Sequence, residues 1–397
     1  MSSSKIWFYQ NGGGSGSNDV YYPFSQSIVT TSTTESNQSF TMRASGTISN
    51  LRAHVTANTT AVSTSCTLRI NASNGNMTFT VSAGTTGIFQ DTTNTDTISS
   101  GDAVTIFFDR ASSISIQSIG ALFTPDGSNI VRVSSNGYSS FGTNGATRYL
   151  GFCGDSTLSA TENEDRQMPI RTDATIKNFF ARISANTRSN ATTLRVRNNA
   201  SNGNSTISVG SSSTGYFEDT SNTDSVVQGD YVCYSLEIAG SGSGSLTVSH
   251  IGCDLEFPSS TVQYFNATLS GSANSATSSR WVCPVGSIVM NGSRTYANMP
   301  FQGSGKIKQF FGRVSSNAST ATLNAYVEVG TVDSSVTFSV PATTTGSFSD
   351  TTNEATFTDG QNVNIRTIKS NSGATTFIWF TYLVQFDSTF VPTVRYY

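Results

Sequence analysis

The sequence predicts an all-β chain of three tandem antiparallel β-sandwich modules, and three observations carry that expectation. First, an eighteen-residue phrase occurs three times: GIFQDTTNTDTISSGDAV from Gly87, GYFEDTSNTDSVVQGDYV from Gly215 and GSFSDTTNEATFTDGQNV from Gly346. The copies lie 128 and 131 residues apart, the length of a small domain and far above the repeat of a solenoid. Second, only 12% of residues are charged and 36% are hydrophobic, while Ser, Thr, Asn and Gly fill most of the rest. Such side chains compete for backbone hydrogen bonds and make poor helices, but they suit exposed strand faces and tight turns. Third, the segment after each phrase alternates as a strand does: Val232, Tyr234, Leu236 and Ile238 share one parity, and Cys233, Ser235 and Glu237 the other. Val104, Ile106 and Phe108, and Val363 and Ile365, keep the same phase.

Along each module the elements follow in one order. IWFYQNGGGSGSN, IVRVSSNGYSSFGTN and TVQYFNATLSGSANS each place a short apolar run before a Gly/Ser/Asn stretch, which reads as a first strand and a flexible turn. They set module boundaries at 1–127 with an N-terminal arm, 128–258, and 259–397 with a short C-terminal tail. Tyr22, Tyr149 and Trp281 stand 33 or 34 residues before Val55, Ile183 and Val314 and are expected to be equivalent. A second matching block starts at Asn50, Asn178 and Gln309. The glycines Gly240, Gly242 and Gly244 lack the Lys and Ser/Thr of a phosphate loop and read as a hairpin turn. FIWFTYLVQF at 377–386 is too short to span a bilayer and reads as a terminal core strand that alternates between faces.

The repeated phrase carries the candidate site. Gly87, Asp91, Asn94 and Gly101 in module one match Gly215, Asp219, Asn222 and Gly229 in module two, and Gly346, Asp350, Asn353 and Gly360 in module three. Asp91 with Asp96, and Asp219 with Asp224, offer the oxygens of a calcium loop. Ala355 breaks that set in module three, and Asp359 precedes Gly360 where the others read Gly-Asp. The competing reading is a structured turn, with Asp and Asn folding back on backbone amides and glycine supplying the bend. That reading implies no metal and no cofactor.

Other chemistry has less support. The net charge of −3 and the lack of a Lys/Arg run leave no positive stripe for a nucleic acid, and no apolar stretch is long enough for a membrane helix. The opening MSSSKIWFYQNGGG lacks the basic and apolar regions of a secretory signal. Cys66, Cys153, Cys233, Cys253 and Cys283 form no C-x-x-C pair and read as free thiols, with a Cys233–Cys253 bridge as the alternative. His54 and His250 occur in one module each, and His250 reads as a solvated side chain on a face shared with Asp254 and Glu256. Glu162, Glu164 and Asp165 form an acidic cluster in module two alone, where a glycosidic carboxylate pair would need a separation that sequence does not fix. No enzyme is expected.

The pattern G-x-F-x-D-T-(T/S)-N, closing on a Gly-Asp turn and a last strand such as SISIQSIGALFTP or SLTVSHIGCDLEF, resembles the end of a jelly roll of the tumour-necrosis-factor and complement type. Ser/Thr/Asn-rich versions resemble structural proteins of tailed bacteriophage particles, of the capsid-decorating and head-fibre kind. The resemblance implies three tandem jelly-roll-like modules in a virion protein, assembled in the host cytoplasm and docked on a capsid or other virion protein. Such modules associate in threes, which implies a pseudo-trimer within the chain or a homo-oligomer. Ile6, Trp7, Phe8 and Tyr9 are the candidate partner contact, with a first strand of module one as the competing reading. The alternative role is a tail-fibre component that grips host glycan; a bacterial surface protein is a third.

Overall fold

The structure, a computed structural model, describes residues 6–11, 19–24, 31–109, 114–126, 130–136, 146–152, 158–240, 243–258, 262–268, 273–275, 277–284, 290–301 and 303–387. The chain divides into two compact units, Lys5–Phe257 with two sandwiches and Pro258–Tyr397 with one.

Module one is built from β1 (Ile6–Asn11), β2 (Val20–Pro23), β3 (Phe40–Thr41), β4 (Gly46–Asn58), β5 (Thr64–Ile70), β6 (Ser73–Val81), β7 (Gly87–Ile98), β8 (Ala103–Phe108) and β9 (Ile114–Pro125). One sheet runs β1-β9-β4-β7 and the other β2-β8-β5-β6, with the short β3 also on β8. Setting β3 aside, the strands are ordered first-eighth-third-sixth over second-seventh-fourth-fifth, which is the double Greek key of a jelly roll.

Module two repeats the plan with β10 (Ile130–Asn136), β11 (Thr147–Gly151), β12 (Met168–Pro169), β13 (Ala174–Asn186), β14 (Thr192–Asn198), β15 (Ser201–Val209), β16 (Gly215–Asp219), β17 (Asp224–Val226), β18 (Tyr231–Ile238) and β19 (Leu246–Glu256). Its sheets run β10-β19-β13-β16, with β17 continuing along β13, and β11-β18-β14-β15. Module three has β20 (Val262–Thr268), β21 (Ala273–Asn274), β22 (Arg280–Val282), β23 (Met299–Pro300), β24 (Gly305–Asn317), β25 (Leu323–Val329), β26 (Val332–Val340), β27 (Gly346–Phe357), β28 (Asn362–Lys369) and β29 (Thr375–Phe386). Its sheets are β20-β29-β24-β27 and β22-β28-β25-β26.

Local chemistry explains the shared plan. The long third strand of each module bulges at one residue with a left-handed backbone, Asn50 at φ 53°, Asn178 at 51° and Gln309 at 54°, and the register shifts there. Asn tolerates that conformation better than most residues, and the bulge twists the strand over the core. The hairpins β5–β6 and β14–β15 turn on Asn71-Ala72 and Asn199-Ala200, both residues at positive φ as a tight two-residue turn demands.

Inside each sandwich the apolar parity meets across the two sheets. Phe179 stacks on Tyr234 at 5.6 Å, and Phe310 meets Phe338 at 4.8 Å. Two expected alternations are corrected. Cys233 and Ser235 are buried along with Val232, Tyr234 and Leu236, because β18 is an interior strand whose outer face is covered by the segment carrying Glu162. In β29, Trp379 through Val384 are buried on both parities.

Candidate functional site

The repeated phrase forms the sixth strand of each jelly roll, at the edge of its sheet, facing the edge strand of the opposite sheet. Across that seam the Asp91 carboxylate accepts a hydrogen bond from the backbone N–H of Thr78 on β6 at 2.9 Å. It also accepts from the N–H groups of Thr93 at 3.1 Å and Asn94 at 3.0 Å, and from the Asn94 side-chain amide at 2.9 Å. Residues 92–94 thus loop out of the strand, where the register jumps between Ser49 and Leu51.

Asp219 repeats the set with Thr206, Ser221 and Asn222, and Asp350 with Thr337, Thr352 and Asn353. Burial works to raise the pKa of each of the three carboxyls, but the N–H donors outweigh it and hold all three below the ordinary aspartate value. Asp96 adds a second bond across the seam, accepting from the N–H groups of Asn76 at 2.7 Å and Met77 at 3.0 Å; Asp224 does the same for Asn204 and Ser205.

These oxygens are surrounded by N–H hydrogens, and a cation would have to displace them to bind. Among the described residues no group of three or more His, Cys, Asp and Glu side chains is arranged around a common point. The glycines that flank the phrase sit at positive φ: Gly87, Gly215 and Gly346 at 122°, 124° and 130°, and Gly101, Gly229 and Gly360 at 103°, 101° and 79°. Asp359, which displaces the Gly-Asp order in module three, accepts from the Gly303 N–H, while Gln361 takes the turn-closing bond that Asp102 and Asp230 make.

A second repeated feature escaped the sequence reading. Arg69 forks onto Glu35 at 2.7 and 3.1 Å under Tyr21 and Phe107. Arg197 pairs with Glu162 at 2.6 Å beside Tyr149. In module three the charges trade places: Arg294 comes from the loop and Glu328 from the strand, at 2.7 and 2.8 Å, with Trp281 against the guanidinium and its indole N–H donating to Glu328 at 3.1 Å. Arg69, Arg197 and Glu328 are each the sixth residue of their seven-residue strand.

Two expectations change with this. Tyr21, bridged to Ser32, is the counterpart of Tyr149 bridged to Ser159 and Trp281 bridged to Asn291, whereas the neighbouring Tyr22 lies in the core. Glu162 is not part of an exposed cluster peculiar to module two; its side chain is 9% exposed and has Glu35 as its equivalent.

His250 also departs from expectation. It is buried where module one packs on module two, its Nε2 3.0 Å from Gln38 Oε1 and its ring 4.9 Å from Phe40. Phe40 meets Phe180 edge to face at 5.4 Å, Arg182 donates to the Asn37 side chain at 3.4 Å, and Arg43 pairs with Glu218. Asp254, on the same face, is buried and accepts from Asn178 at 2.8 Å. Burial lowers the His250 pKa to about 3, against an opposing hydrogen bond to the Asn37 backbone carbonyl and with a smaller push from the neighbouring Arg182.

Cys66, Cys233, Cys253 and Cys283 are free thiols, so the Cys233–Cys253 bridge is not formed; Cys153 lies outside the described residues. Ile6, Trp7, Phe8 and Tyr9 form the edge strand β1, paired with Phe123 back to Gly120 on β9.

No protein-family model matches the chain, and no curated protein sequence matches it. A chain of Sulfolobus Turreted Icosahedral Virus is 14% identical over 87% of this chain and 81% of its own, with a TM-score of 0.18. An archaeal virus chain described by its triple jelly roll fold and turret assembly is 14% identical over 97% of both, with a TM-score of 0.19. Scores this low carry no weight on fold or role.

Replacing Asp219 by Ala leaves the N–H groups of Thr206, Ser221 and Asn222 without their acceptor and is expected to destabilise by about 3 kcal/mol in denaturant unfolding, with no response to added calcium in either protein. Because the folded pKa is depressed, the contribution of Asp219 is complete above the ordinary aspartate value of about 3.9 and disappears as pH falls through the lower folded value. Glu162→Arg and Arg197→Glu are each expected to destabilise by about 2–4 kcal/mol, while the double variant, which copies the polarity of module three, recovers most of the loss in a double-mutant cycle.

For His250 the undocked form takes up a proton that the docked form refuses. Docking of module one on module two is therefore fully stable above about pH 6.5 and weakens roughly tenfold per pH unit down to about pH 3. Hydrogen exchange in residues 37–43 and 180–182 should speed up over that window in the native protein, and His250→Phe should remove the dependence.

Proposed function

We propose that the chain is a non-enzymatic structural component of a virus particle, and more finely a protein that decorates or cements the outer surface of a phage capsid. The observation that carries the reading is the use of the repeated polar residues. Asp91, Asp219 and Asp350 face the seam of their own sandwich, and the ion pairs at Arg69, Arg197 and Arg294 brace the outer face of a sheet. Polar chemistry repeated three times for holding a sandwich shut suits a building block that must stay folded outside a cell. The resemblance of the phrase to Ser/Thr/Asn-rich phage jelly rolls supports the virion assignment.

The edge strand Ile6–Asn11 is the docking element in this reading. An apolar strand at the end of a sheet is a ready template for another chain, and a capsid lattice supplies one. The second reading, a tail-fibre component that grips host glycan, is favoured by an open polar groove in module three.

Quantitative mass spectrometry of purified particles separates the readings. Copies in fixed proportion to the capsid subunit are expected for decoration, and a handful per particle for a tail component. Absence from particles overturns the virion assignment altogether.

A further inference from the structure

We propose that the outer face of the second sheet of module three is a saccharide-binding groove. The groove is shallow and open, with a volume of about 590 Å³, and lies over β25 and β28. Its floor is set by cross-strand neighbours, Tyr326 opposite Arg366 and Asn324 opposite Ile368.

The other repeats show what is special here. In module two the positions of Tyr326 and Ile368 are held by Arg195 and Glu237, which bond each other at 3.1 Å and cover the face with a closed ion pair. In module one the Tyr326 position is Thr67, whose hydroxyl is 3.0 Å from that of Thr78. Module three alone places an aromatic ring beside an aliphatic side chain there, both half-buried.

Around the Tyr326–Ile368 patch stand polar groups held in place by the protein. The Arg366 guanidinium is fixed by Asp333 at 2.5 Å and Ser279 at 2.9 Å. Asn324 accepts from Ser339 at 2.7 Å through its carbonyl, which leaves its amide N–H groups to donate. A pyranose ring presents a C–H face and a rim of hydroxyls, and a floor of Tyr and Ile ringed by Asn and a fixed Asp–Arg pair matches both.

A phosphate ligand fits worse. Arg366 is committed to Asp333, and the Lys369 ammonium is held by the carbonyls of Asn274 and Gly373, so neither cation is offered to an anion. The inference does not depend on the virion reading, because the groove belongs to module three whatever carries it.

The test uses the full chain with the methyl glycosides of glucose, galactose, mannose, N-acetylglucosamine and glucuronic acid, read by saturation-transfer NMR and titration. Transfer to at least one sugar is expected, weakened about tenfold or more in Tyr326→Ala. Tyr326→Arg with Ile368→Glu, which installs the ion pair of module two, should abolish it while leaving thermal unfolding within a few degrees of the parent, and Arg195→Ala should leave binding unchanged. No transfer from any of the five, or transfer that persists in the double variant, overturns the proposal.

Discussion

The structure depends on one recurring contact: an aspartate carboxylate on the sixth strand that accepts backbone N–H groups from the fifth strand across the open side of the sandwich. Two stacked sheets leave both edge strands with unpaired backbone donors, and those donors must be satisfied or solvated. Asp91, Asp219 and Asp350 satisfy them from the opposite sheet. Each carboxylate thus ties sheet to sheet where no ladder can, and the local loop at 92–94 and its copies exists to aim it. The second contact is replaceable. Where Asp96 and Asp224 stand in modules one and two, module three has Ala355, and the glycine facing it changes too. A Cβ on Gly75 or Gly203 would lie 2.6 or 2.8 Å from the carboxylate, so glycine is required beside Asp. Beside Ala355 the position is Ser334, whose hydroxyl accepts from the Val336 N–H at 3.2 Å. The acceptor has moved from one strand to the other, and the seam stays closed.

The same compensation governs the core and the outer braces. Gly312 occupies the place of Ala53 and Ala181, and a Cβ there would sit 2.5 Å from Phe338 and 2.9 Å from Phe380. The matching residues in module two are Ile207 and Ile251, smaller at both positions, so the methyl and the rings exchange volume across the core. In the braces, Glu–Arg in modules one and two becomes Arg–Glu in module three, with an aromatic against the guanidinium in all three. Reversal of both charges preserves the pair, which is what an interaction between the two residues requires and what independent surface charges would not show.

Repetition and strand parity made the fold legible. The phrase, the second block and the opening strands align three times, and a side chain's parity follows directly from position along a strand. Partners across space were harder to read. Glu35 and Arg69 are separated by 34 residues, and the reversal in module three hides the pair from any search for the same residue at the same place. Spacing alone does not separate Tyr21 from Tyr22, because adjacent tyrosines point to opposite faces and only the bridge to Ser32 decides which is equivalent. The burial of His250 is hidden from sequence because nothing in its own module marks that face as covered; the cover, Gln38 and Phe40, comes from another module.

Comparison of the repeats therefore separates what holds a module from what distinguishes it. Positions along the seam keep their residue or change in pairs. Outer-face positions away from the braces change without such pairing: the place of His250 is Ser118 in module one and Trp379 in module three, and the place of Tyr326 is Thr67 and Arg195. Such changes leave the seam and its aspartates untouched, so they can respecify a face without risk to folding. A sandwich shut by its own backbone donors is free to vary its outer faces, as the face around His250 does where it meets Gln38 and Phe40 of module one.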